Sequence, residues 1–175
     1  DLDLKSLINR ISIPGRIEEE RMLYNFSYHD EDRNLIMFPA MINDPDFAKK
    51  IQYVWDGFLP NLPEYEIVQD DMPEVFKYYS KVIDVFKSRG GKIIFVRHKS
   101  EEEWNKHTKR MLPRKKVFDP FIKMINCPSY HFEDYEFMNK YTLPDWSHMY
   151  YTDALTYTKD MVTKLIKDGH LKSFK

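Results

Sequence analysis

The apolar positions change their period along the chain. After Asp44-Pro45, the residues Phe47, Ile51, Val54, Trp55 and Phe58 recur at three- and four-residue intervals, which predicts an amphipathic helix. Glu18-Glu19-Glu20 followed by Met22, Leu23 and Phe26 predicts a shorter one, its acidic start suited to the positive end of a helix dipole. The longest stripe is Met72, Val75, Phe76, Tyr79, Val82, Ile83 and Phe86, opened by a capping-box pattern at Asp71 and Glu74. Gly90-Gly91 stops it. Lys92-Ile93-Ile94-Phe95-Val96-Arg97 then loses the helical period and reads as a buried parallel strand. Ser100 with Glu103 is a second capping box, opening a helix through Trp104 to about Met111. Pro113 starts another, with Val117, Phe121, Met124 and Ile125 on one face. Ser129-Tyr130-His131-Phe132 reads as a second short strand. A last helix from about Thr152 turns Leu155, Thr158, Met161, Val162, Leu165 and Ile166 inward until Gly169.

These elements divide the chain in two. Residues 1–70, punctuated by Pro14, Pro39, Pro45, Pro60 and Pro63, form an irregular helical segment, part of or inserted in the same domain as the rest. Residues 71–175 alternate between helix and strand patterns, which predicts an α/β fold: three layers around a mostly parallel, doubly wound sheet. A length of 175 residues suits one domain or most of one. With 27 basic and 28 acidic residues, the net charge of -1 gives no bulk reason to bind nucleic acid or an anionic membrane. The basic run from Lys106 to Arg110 and Arg114-Lys115-Lys116 reads as a solvated face. No apolar run is long enough for a transmembrane helix. Cys127 is alone, which rules out an internal disulfide and suits the cytosol or a bacterial envelope compartment. The six His lack the i, i+4 spacing of a zinc helix, so neither a metal nor another cofactor is expected.

Candidate chemistry centres on Asp145-Trp146-Ser147-His148, in a Pro-led loop before the last helix. In acyl transfer a serine hydroxyl must lose its proton as it attacks. A His nitrogen is the usual base, and a carboxylate holds the ring in the correct tautomer. Three residues apart on a turn, Asp145 and His148 can converge. The spacing alone decides little: 16 Asp and 6 His give roughly 0.5 chance matches in a chain this long. Arg97 and His98 end the first predicted strand, where α/β folds place ligands. With Trp146 they are the candidate substrate contacts.

Flanking order adds to the pair. The segment from Lys92 to Leu165 resembles the C-terminal half of SGNH (GDSL-type) hydrolases. Lys92 to Arg97 after a long helix looks like the late core strand of that family, and Tyr130 to Tyr135 like the short strand and turn that follow. Leu143 to His148, followed by Tyr151 to Ala154, looks like its last block. The resemblance implies an SGNH or flavodoxin-like sheet, of which this chain would hold the C-terminal half. It implies an ester hydrolase or O-acyltransferase with His148 as general base and Asp145 as its orienting partner, acting on a small-molecule or acylated carbohydrate ester. The family's Gly-Asp-Ser-like nucleophile motif matches none of Ser6, Ser12, Ser27, Ser80, Ser88, Ser100, Ser129, Ser147 or Ser173, and its oxyanion Gly and Gly-x-Asn-Asp block are absent. Two explanations stay open. The chain is a C-terminal piece of a longer protein that carries the serine, as its abrupt start at Asp1 without Met suggests, or it is a degenerate relative. An α/β module that binds a glycan or a partner protein is the non-catalytic alternative.

Overall fold

The computed structural model describes residues 25–59 and 63–172. The short helix expected from Glu18 to Phe26 lies outside them, except for Asn25 and Phe26, which are not helical. The described chain opens with a hairpin, β1 (Ser27–His29) antiparallel to β2 (Leu35–Met37). A single turn, α1 (Ala40–Asn43), leads into α2 (Pro45–Phe58). The Asp44 carboxylate accepts from the backbone N–H groups of Asp46 and Phe47 and Pro45 fills the first turn, so the predicted start of α2 has a physical cap. Its inner face, Ala48, Ile51 and Val54, is buried, whereas Phe58, expected inside, is 53% exposed. Met37, Met41, Ala48 and Ile51 form a small core against which Phe26, Trp55 and Tyr150 pack. Tyr150 lies two residues beyond His148, so this core reaches the candidate loop.

The rest of the chain contains α3 (Tyr65–Val68), α4 (Met72–Ser88), β3 (Phe95–Arg97), α5 (Glu102–Met111) and α6 (Phe118–Ile125). These are followed by β4 (Ser129–His131), a 3-10 turn (Phe132–Asp134), α7 (Glu136–Asn139) and α8 (Tyr151–Lys167). β3 and β4 pair in parallel, Phe95 opposite Ser129 and Arg97 opposite His131. Successive strand residues point to opposite faces, and the two faces bury different things. Ile94, Val96 and Tyr130 join Tyr157 and Met161 of α8 in the larger core. Phe95 packs edge-on to Phe121 of α6, and His131 edge-on to Phe118.

This architecture corrects the expected fold. The three-layer, mostly parallel sheet does not form. Among the described residues there are four strands of three residues each, in two separate two-stranded sheets, and the fold is mostly helical. The helix–strand alternation was a local signal. It places β3 beside β4 across helices α5 and α6, but among the described residues no third strand hydrogen-bonds to either, and β1 and β2 pair with each other. With no wide sheet to cover, the α4 stripe is largely uncovered. Ile83 is buried, while Val75, Tyr79, Val82 and Phe86 stand exposed. On α8, Tyr157 and Met161 are buried but Leu155 and Val162 are not. Neither expected capping box forms: the Asp71 side chain makes no cap bond, and α5 is preceded by Glu101 instead of Ser100.

Candidate active site

Asp145 has no solvent exposure, and such a carboxylate must be met by donors. Its loop supplies them. Oδ1 accepts from the backbone N–H of Ser147 at 3.0 Å and of His148 at 2.7 Å. Oδ2 accepts from Ser147 Oγ at 3.1 Å and lies 2.7 Å from His148 Nδ1. An Asp side chain that bonds the backbone two and three residues on folds the chain into a tight turn. That turn brings residue i+3 back over the carboxylate. The Asp-x-x-His spacing is thus the cause of the contact.

The His148 side chain is 59% exposed, so its far edge is reachable while its near edge is held. With Nδ1 engaged by Asp145, the neutral ring carries its proton there and leaves Nε2 as a lone-pair acceptor. Among the described residues nothing hydrogen-bonds to Nε2. The hydrogen bond that His148 Nδ1 donates to Asp145 raises the His148 pKa above its ordinary 6.5, outweighing partial burial. Burial alone would raise the Asp145 pKa, but the bond and charge of His148 with the two backbone donors bring it below the usual carboxylate value. Ser147 is not placed to be the nucleophile of this pair. Its hydroxyl lies 2.9 Å from Nδ1, the nitrogen already committed to Asp145.

The loop is held in place from three sides. Glu101 Oε2 accepts from Leu143 N at 2.9 Å, and Glu101 N donates to Trp146 O at 2.9 Å. Lys99 Nζ donates to Tyr141 O at 2.6 Å and pairs with Glu101. Gln52 of α2 donates to Pro144 O at 2.8 Å. Trp146 adopts a left-handed φ of 71°, uncommon for a non-glycine residue, as it turns between these anchors. The Phe26 ring sits 6.3 Å from that of His148. Sequence reasoning missed Glu101, Lys99 and Gln52 as supports. No local spacing marks Glu101, whose carboxylate bonds a residue 42 positions away. Replacing Glu101 with alanine is expected to cost about 1–3 kcal/mol, the value of a charged acceptor for a part-buried N–H. Glu101→Gln should recover most of it, both read by urea unfolding.

The other sequence candidates lie elsewhere. His98 Nδ1 lies 2.7 Å from the Tyr157 hydroxyl and packs on α8. Arg97 lines a separate cavity whose walls include neither Asp145 nor His148. Trp146 stays beside the pair through its backbone. Among the described residues no group of His, Cys, Asp and Glu is arranged to hold a metal ion, and no helix is long and apolar enough to cross a membrane. No known family model, curated protein or solved structure matches this chain. The chemistry of the loop has to be read from its own atoms.

Proposed function

We propose that Asp145 and His148 are the orienting acid and general base of an SGNH-type ester hydrolase or O-acyltransferase, acting on a small-molecule or carbohydrate ester. The observation that carries this reading is the 2.7 Å contact between a fully buried carboxylate and Nδ1 of a ring whose other edge is open. Such a ring can take a proton on Nε2 as a hydroxyl attacks an acyl carbon, and can return it to the leaving oxygen. The carboxylate stabilises the imidazolium formed in between. The attacking hydroxyl belongs to a serine outside the motifs identifiable in this chain. Hydrolysis and transfer share these steps and differ in whether water or an acceptor hydroxyl reaches the acyl-enzyme.

The pH dependence tests this. A general base works only when neutral, and Asp145 raises the pKa of His148. Hydrolysis of a chromogenic acetyl ester, by the longest polypeptide that carries this sequence, should therefore rise with pH through an inflection above 6.5. A rate independent of pH across that range, or one that falls, contradicts the assignment.

A further inference from the structure

The face of the β3–β4 pair that carries Phe95, Arg97 and His131 opens onto two adjoining cavities, of about 280 and 370 Å³. Arg97 and His131 belong to the walls of both. On one side the walls are apolar, with Val75 and Phe76 from α4 and Phe118 and Phe121 from α6. On the other they are cationic, with Lys109, Arg114, Lys115 and Lys116. Most of these cations are committed. Lys109 pairs with Glu133, Arg114 with Asp119, Glu133 and Asp134, and Lys116 with Glu66.

Arg97 is different. It is half-buried, and among the described residues it forms no ion pair with a carboxylate. Its guanidinium donates to His98 O at 2.9 Å and, weakly, to Ser100 Oγ at 3.4 Å. A guanidinium has five N–H donors, so Arg97 keeps donors in reserve at the junction of the two cavities. Phe132 lies 5.9 Å from its Cζ and helps to exclude water. His131 is buried, and its Nδ1 accepts from Glu133 N at 3.3 Å, so the neutral ring carries its proton on Nε2 as a second donor.

From this juxtaposition we infer that the cavity binds a monocarboxylate with a medium-length apolar tail. Its head would meet Arg97 and His131, and its tail would lie between α4 and α6. Lys115, also without a carboxylate partner among the described residues, is exposed, so the half-buried guanidinium and one neutral donor set the charge at the junction, which suits a single negative charge better than a phosphate dianion. The apolar wall suits a hydrocarbon tail, and 280 Å³ lies at the small end of ligand sites, roughly 300–1,000 Å³. This site does not depend on the assignment of His148.

Calorimetric titration of the whole chain with sodium octanoate, octanamide and acetate tests the inference. Octanoate should bind, octanamide at least about tenfold more weakly because it lacks the charge, and acetate not at all because it lacks the tail. Arg97→Gln should weaken octanoate at least about tenfold while the protein still unfolds cooperatively on heating. Val75→Asp places a carboxylate on the apolar rim and should abolish binding. Tyr78→Asp, on an exposed α4 residue outside the cavity wall, should leave it unchanged. The inference is overturned if octanoate does not bind, if octanamide or acetate equals it, or if Arg97→Gln or Val75→Asp binds as the parent does.

Discussion

Replacing Asp145 with alanine should cost about 3 kcal/mol of folding stability, because two backbone N–H groups and a hydroxyl lose a charged, buried acceptor together. For a chain of this size that is a fall of about 6–12 °C in Tm. The cost falls on the turn from Asp145 to His148, since Oδ1 is what closes it. Asp145→Asn is expected to cost less, because one oxygen still accepts from Ser147 and His148. The gap between wild type and Asp145→Ala should also vary with pH, and the signs follow from the two shifts. The lowered Asp145 pKa adds stability above its ordinary 3.8, which is lost as pH falls through the folded value. The raised His148 pKa adds stability below 6.5, which is lost as pH rises through the folded value. The gap is therefore widest between those two ordinary values and narrows on either side. Denaturant unfolding of both proteins at pH 3, 5.5 and 8.5 measures it.

On the proposed mechanism His148→Ala should cost less stability than Asp145→Ala, because three of the four donors to the buried carboxylate remain, and should lower kcat/KM for an acyl ester by about 10²–10⁴-fold, the usual contribution of general acid–base catalysis. The ring is largely exposed and its removal opens no buried cavity, so the loss of activity should far exceed the loss of stability in this variant. Asp145→Asn should give a similar split. The fold survives, but an amide facing Nδ1 can hold the wrong tautomer and lower kcat by a similar order. Equal rates for wild type and His148→Ala, measured with the same chromogenic acetyl ester, would remove His148 from the mechanism.

Much of the local structure was legible in the sequence, because local structure is set by neighbours. Asp44-Pro45 starts α2 through two hydrogen bonds to the next turn. Gly90 and Gly169, both at positive φ, end α4 and α8 where the pattern stops. The hydrogen bonds that the Asp145 carboxylate accepts likewise come only from residues within three positions of it. The wide sheet was misread because its evidence was the same kind of local signal. Two apolar runs separated by helices give one parallel pair, and nothing in either run says how many strands lie beside it. The apolar stripe of α4 records only what a helix is able to bury, not what covers it. The supports of the site were hidden for a related reason. Glu101, Lys99 and Gln52 act on residues 42, 42 and 92 positions away, distances at which no spacing rule operates. Arg97 was legible as a candidate ligand contact at a strand end, but the walls of its cavity were not, since they come from α4, α5, α6 and both strands of the pair.

In the proposed mechanism Asp145 fixes His148 with the proton on Nδ1 and leaves Nε2 free to act as a base. A pH titration of the His148 ring followed by 15N NMR tests it most directly. The pair gives a midpoint above 6.5 and, at high pH, an Nδ1-protonated tautomer, with the midpoint lower in Asp145→Asn. A midpoint at or below 6.5 with the neutral ring protonated on Nε2 would contradict it.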